Sequence, residues 1–152
     1  MAACPPPPSG TLDGPTHRFP LRVYFEDTDL TGMVYHANYL KWFERARTEL
    51  LRLIGVEQRD THEGGGGAYA VAELSIRYLA PARLDDEIVI ESRAVEIRAA
   101  SCRLVQRALR GETLVAEAQL RVGFVGADGR PRRQPEEWRA AFTRMMESQE
   151  SE

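Results

Sequence analysis

An α+β domain, one antiparallel sheet packed on a long helix, is the fold class this sequence predicts, and three observations lead to it. Residues 38–54 carry apolar side chains at helical spacing. Four segments between 69 and 125 alternate apolar and polar residues. The links at 98–100 and 110–112 are too short for a parallel crossover, so these strands should run as an antiparallel meander.

Taken in order, residues 1–17 contain Pro5-Pro6-Pro7-Pro8, Ser9-Gly10 and Gly14-Pro15, with little apolar surface beyond Leu12. Such a stretch buries too little to offset its ordering entropy and is expected to be a flexible tail. A polyproline II ligand is the alternative for the proline run. Leu21, Val23 and Phe25 then alternate with Arg22, Tyr24 and Glu26, the pattern of a half-buried strand. Asn38 is a good N-cap for the helix and Gly55 a good stop. Tyr39, Phe43, Ala46, Leu50 and Leu53/Ile54 make a stripe wide enough to require wrapping by other elements. Glu63-Gly64-Gly65-Gly66-Gly67 reads as a mobile loop; without a following Lys-Ser/Thr it is no phosphate cradle.

The strands are expected at 69–79 (Leu74, Ile76, Tyr78), 86–97 (Ile88 to Ile90, Val95, Ile97), 101–110 (Cys102, Leu104, Gln106, Ala108) and 113–125 (Leu114 to Phe124). Asp128-Gly129 marks a turn. Pro135 opens a short amphipathic helix with Trp138, Phe142 and Met145/Met146 inward. The domain is thus expected over 18–146, with 147–152 as a frayed tail.

The chain has 152 residues, 20 basic and 23 acidic side chains and a net charge of −3. That length suits one domain able to bury a core without a disulfide or metal staple. The mild acidity argues against a nucleic-acid binder. No apolar run approaches the ~20 residues needed to span a bilayer, and Met1 to Pro5 lack signal-peptide character. A cytoplasmic protein without an integral membrane segment is expected. Cys4 and Cys102 form no CxxC pair, and His17, His36 and His62 are scattered, so a structural zinc site is not expected. Every basic residue except Lys41 is arginine, a bias ascribed to base composition rather than function.

The segment that stands out is 24–49. Glu26, Asp27 and Asp29 crowd the end of a strand just before a helix begins. Crowded carboxylates repel, so at least one is expected to have a raised pKa unless a cation sits nearby, and a helix N-terminus offers free N–H groups and partial positive charge. Three readings fit: an Asx turn that caps the helix, a divalent-cation site, or a carboxylate that attacks a carbonyl or activates water beside oxyanion donors. Composition alone leaves them open.

The order of residues adds more. Tyr24-x-Glu26-Asp27-Thr28-Asp29-x-x-Gly32-x-Val34-Tyr35-His36-x-x-Tyr39, then Phe43-Glu44-Arg45-Ala46-Arg47-Thr48-Glu49, closely resembles the hotdog-fold acyl-CoA thioesterases. The nearest types are the 4-hydroxybenzoyl-CoA and the Tol–Pal-associated thioesterases. A second match runs Tyr78-x-Ala80-Pro81-Ala82-Arg83-Leu84-Asp85-Asp86, and the resemblance covers roughly residues 18–145 in element order. It implies an antiparallel sheet wrapped around a long central helix, plus a short C-terminal helix, and hydrolysis of an acyl-coenzyme A without cofactor.

By that resemblance Asp29 is the catalytic nucleophile or general base, and the His36 backbone N–H binds the thioester oxygen. Gly32 lets the loop pack close to the substrate. Tyr24 and the His36 side chain sit where relatives place polar groups; an ordinary semi-buried Tyr or His is the other reading. Tyr35, Arg98 and Ser101 fall at substrate-contacting positions, Arg98 where relatives bind nucleotide phosphates; a solvated hairpin arginine is its alternative. Glu44 is the rival catalytic residue, because another hotdog branch uses a helix glutamate, although an ion pair with Arg47 at i,i+3 is favoured. Ala72-Glu73 departs from the basic residue relatives often carry there. The exposed sheet edge of one unit invites a second copy, and relatives form dimers or dimers of dimers, so a homo-oligomer, such as a homotetramer, is expected. A non-catalytic acyl-CoA or acyl-carrier-protein binding module of the same fold is the alternative function.

Overall fold

A computed structural model describes residues 3–148. Strands β1 (Thr11–Asp13) and β2 (Thr16–Arg22) lead through a 3-10 turn at Phe25–Asp27 to helix α1 (Asn38–Leu53). A short helix α2 (Gln58–Glu63) precedes β3 (Ala68–Tyr78), β4 (Glu87–Ile97), β5 (Ser101–Arg110) and β6 (Thr113–Val125), and α3 (Glu136–Glu147) follows. The six strands form one antiparallel sheet in the order β1-β2-β4-β5-β6-β3.

The sheet covers α1 because both carry matched apolar faces. Tyr39, Trp42, Phe43, Ala46, Leu50 and Leu51 are the buried residues of the helix. The first four pack with Phe19, Ile88, Ile90, Ala108, Val115, Ala116 and Ala118. Leu50 and Leu51 pack with Leu104, Leu120, Val122 and Phe124, which α3 seals with Trp138, Phe142 and Met145. Gly55, at φ +89°, ends α1 in the left-handed conformation that glycine adopts at a helix stop.

The structure differs from the sequence expectation in several places. Only β4, β5 and β6 follow one another as a meander. β3 lies beyond β6, because the connection at 79–86 carries the chain from one sheet edge back to β4. The expected tail at 1–17 is ordered at its end: Thr11–Asp13 pairs with Thr16–Arg18, and Thr16 and His17 are buried. The His17 ring anchors that hairpin by donating from Nε2 to the Ser9 carbonyl at 2.8 Å. Residues 1–2 and 149–152 of the two expected tails lie outside the described residues. In β4 a bulge between Ala94 and Glu96 turns Ala94 inward and leaves Val95 51% exposed. Helix α2 occupies residues just ahead of the glycine run, where no helical signal is long enough to read.

The opposite sheet face explains where many arginines go. Arg18, Glu91, Arg107, Glu117 and Arg77 are direct cross-strand neighbours on β2, β4, β5, β6 and β3, joined by ion pairs of 3.1 to 3.7 Å. Opposite charges on facing strand positions stabilise a solvated sheet surface modestly.

Candidate active site

Three of the residues singled out on the loop, Asp29, Gly32 and His36, meet at the N-terminal end of α1. The chain from Thr28 to Val34 folds back on itself. Thr28 bridges Val34, the Asp29 N–H donates to the Met33 carbonyl at 3.0 Å, and the Tyr35 N–H donates to the Asp27 carbonyl at 2.9 Å. Gly32 sits at φ +80°, in the left-handed region, while a Cβ built on it would meet only Arg83 Nη1 at 3.7 Å. The glycine is therefore needed for its backbone conformation rather than to avoid a clash with neighbouring protein atoms.

The second sequence motif is the backing of this loop. The Val34 N–H donates to the Ala82 carbonyl at 2.8 Å, and Met33 bridges Arg83. Ala82 is fully buried, and Asp86 Oδ2 accepts the Arg83 N–H at 2.8 Å. Asp86 is further tied to β2, since its carbonyl accepts the Val23 N–H at 2.9 Å. The resemblance between 78 and 86 thus lies in a strap across the loop.

Within the loop the carboxylates divide their work. Asp27 is structural: its Oδ2 accepts the Tyr24 N–H at 2.8 Å, and its carbonyl accepts Asn38 Nδ2 at 2.8 Å. Asn38 therefore ties the helix start to the loop from inside the first turn, with Ala37 as the N-cap. Asp29 faces solvent. Its Oδ1 accepts the Thr31 N–H at 2.8 Å and also the Thr31 hydroxyl. Those two hydrogen bonds, helped by the nearby His36 imidazole, hold its pKa below the ordinary aspartate value, so the rise expected of a crowded carboxylate is not met at Asp29. Among the described residues Thr31 is the only other residue that donates to this carboxylate, and both of its bonds go to Oδ1. Among the same residues the His36 and Ala37 N–H groups, directly ahead of α1, have no acceptor in the chain.

Aromatic rings close over the other side of His36. The Tyr78 hydroxyl donates to the His36 carbonyl at 2.9 Å, and the His36 ring meets Tyr35 edge-on at 4.6 Å. Tyr24 is 59% exposed, so the semi-buried alternative for its ring does not hold. Tyr78 is marked in the sequence as a strand residue and as the head of the second motif, but its contact with residue 36, forty-two positions earlier, depends on where β3 lies.

Arg98 and Ser101 belong to a different cleft, at the β4–β5 turn. Together with Glu96, Arg103 and Arg121 they line a small polar cavity. Arg98 Nε pairs with Glu96, while Arg103 pairs with Glu96 and Glu73 at 3.3 Å each. Gln134, which the sequence reading passed over, holds this turn from below. Its side chain donates to the Arg98 and Ser101 carbonyls at 2.8 and 3.2 Å and accepts from the Tyr69 hydroxyl and Cys102. It is 2% exposed, which the sequence did not signal, because a glutamine in a connecting segment ordinarily faces solvent.

Glu44 lies elsewhere again. With Arg47 and Thr48 it lines a cavity against Leu50, Leu51 and Tyr69, about 670 Å³ including its open mouth. The ion pair expected between Glu44 and Arg47 is replaced by another bond. Arg47 turns inward and donates to Gln106 Oε1 at 2.9 Å, and Glu44 acts on it only through space. Gln106 needs that donor because it is fully buried, with its amide N–H groups engaged by Phe43 O and Ser92 Oγ at 2.9 Å each. Among the described residues no group of three or more His, Cys, Asp or Glu side chains is arranged to hold a metal ion. No helix among them is long and apolar enough to cross a membrane.

Comparison with known proteins places this geometry. Residues 23–144 match the model of the thioesterase-like superfamily. The chain is 41% identical over 125 residues to the acyl-CoA thioesterase YbgC of Haemophilus influenzae, covering 82% of this chain and 92% of that protein. It is 42% identical over 106 residues to the acyl-CoA thioester hydrolase YbgC of Escherichia coli O157:H7, covering 69% and 78%. A crystal structure of a probable thioesterase from Bartonella henselae superposes with a TM-score of 0.75 at 35% identity, over 79% of this chain and 99% of that one. The 1,4-dihydroxy-2-naphthoyl-CoA thioesterase from Synechocystis, at 22% identity and a TM-score of 0.78 over 84% and 96%, shares the fold.

Proposed function

The chain belongs to the thioesterase-like superfamily, with the hotdog arrangement of a sheet around a central helix, and we propose that it hydrolyses an acyl-coenzyme A to the free acid and coenzyme A. One observation carries the assignment of the site. Asp29, an ionised aspartate bonded by Thr31 through Oδ1 only, lies within electrostatic reach of His36, whose backbone N–H is open at the start of α1.

The thioester oxygen is received by the His36 N–H. As the carbonyl carbon is attacked, negative charge grows on that oxygen, and a preorganised donor of this kind contributes roughly 3–4 kcal/mol in acyl-transfer enzymes. The partial positive charge at the α1 N-terminus acts in the same direction. Asp29 Oδ2 either attacks the carbon or takes the proton from an attacking water. In the first route a C–O bond forms, the C–S bond breaks, coenzyme A leaves as thiolate and water then hydrolyses the anhydride. In the second route water adds directly and the same thiolate leaves. Tyr35, edge-on to the His36 ring, and Gly32 shape the rim of this site, while Tyr24 lines a neighbouring cleft with Asp27, Asn38 and Arg45.

The arginines of the β4–β5 turn cleft, Arg98 with Arg103 and Arg121 beside Ser101, suit the phosphates of coenzyme A. The unpaired edge of β3, eleven residues long with Val71 49% exposed, supports assembly of a homo-oligomer through a second copy. We place the enzyme in the cytoplasm, where its free cysteines, Cys4 and Cys102, stay reduced.

Thiol release from a panel of short-chain, long-chain and aromatic acyl-CoA esters tests the reading. Release from at least one class is the expected result. Thermal stabilisation by coenzyme A with no release from any ester would contradict it and favour a binding module.

A further inference from the structure

Asp29 is held by a residue that the motif does not require. We propose that Thr31 is the positioning residue of the reactive carboxylate, fixing Asp29 Oδ1 through its N–H and hydroxyl so that Oδ2 alone faces the thioester. The inference rests on the reading of Asp29 given above and names what orients it.

The geometry is specific to the hydroxyl. An aspartate that begins a turn needs only the backbone N–H two residues on, and Thr31 supplies that bond at 2.8 Å. The hydroxyl adds a second donor to the same oxygen. It is itself oriented, because Thr31 Oγ1 accepts the Met33 N–H at 3.2 Å. The Met33 carbonyl in turn accepts the Asp29 N–H at 3.0 Å, which closes a ring of hydrogen bonds through residues 29, 31 and 33. A carboxylate otherwise open to solvent rotates freely about its terminal bond; two donors on one oxygen remove that freedom before substrate arrives.

Holding Oδ1 has two consequences that oppose each other. It keeps Asp29 ionised to lower pH, the direction in which both Thr31 bonds act. It also makes the carboxylate a weaker base, so the gain must come from orientation. Thr31→Val keeps the branched shape and the backbone N–H while removing the hydroxyl. The expected result is a fall in kcat on the order of ten- to a hundredfold with KM little changed, and an acid limb of kcat moved to higher pH. Thr31→Ser should restore most of kcat and return the limb. Wild-type kcat and limb in Thr31→Val would overturn the proposal. So would equal losses in Val and Ser with the limb unmoved, which is what a packing role predicts. Asp29→Asn in parallel separates the two levels: full turnover there would remove Asp29 itself, and Thr31 with it.

Discussion

At Asp29 and His17 the same kind of side-chain accounting gives stability that falls with acid, in two different pH windows. Asp29 has its pKa lowered by the Thr31 hydrogen bonds, so it favours folding above the ordinary carboxylate pKa and loses that contribution as pH falls through its own lower value. Activity should accordingly stay flat from neutral pH down to about 4, read as kcat/KM where the protein is folded. An acid limb centred near pH 6 would point to a different group. His17 is buried with Nδ1 unpartnered, and burial lowers its pKa despite the Ser9 carbonyl and the charge of Glu49. A neutral buried imidazole contributes fully above its unfolded pKa of about 6.5 and is lost as pH falls below it. Urea melts across that range should show stability falling with acid, and His17→Gln should flatten the slope. The sequence made Asp29 and His36 legible because motif spacing survives in the chain. It hid His17, whose neighbours look like a tail, and it hid Thr31, whose role exists only once the loop folds back.

Elements placed by local periodicity were read almost residue for residue: α1 and the strands at 87–97, 101–110 and 113–125 need only their own apolar spacing. One local reading failed, since the strand read through Leu21, Val23 and Phe25 lies at Thr16–Arg22 and Phe25 is 81% exposed in a 3-10 turn; the other failures were non-local. The position of β3 beside β6 depends on a strap at 79–86 that has no periodicity, and α2 is too short to signal itself. Gln134 belongs to this scale, because it joins the segment before α3 to the β4–β5 turn. Gln134→Leu leaves the Arg98 carbonyl and the Tyr69 hydroxyl without their side-chain partner and should cost about 1–3 kcal/mol per stranded group. With the turn loosened, KM for acyl-CoA esters should rise while kcat holds. A KM unchanged beside a clear loss in unfolding free energy would detach this turn from substrate binding. Phe43, fully buried between α1 and the sheet, sets the scale for a purely structural loss: Phe43→Ala should cost about 3–5 kcal/mol in a denaturant melt.

For the whole molecule, the sheet has one long unpaired edge and one face tiled with alternating arginine and glutamate. The charges of that face pair with one another across the strands, whereas the β3 edge leaves backbone donors and acceptors open. Sedimentation should therefore report a multiple of the chain mass, and Val71→Lys, placing charge on that edge, should shift it toward the monomer. A monomer in the unaltered protein would contradict assembly through β3. Oligomer or not, the account stands on one carboxylate at the start of the central helix. The most direct measurement is thiol release by Asp29→Asn beside Glu44→Ala, each checked for native unfolding behaviour. The account predicts that Asp29→Asn stays folded and loses about 10²–10⁴-fold in kcat while Glu44→Ala keeps most of its turnover. Full turnover in Asp29→Asn with loss in Glu44→Ala would contradict it and move the chemistry to the helix.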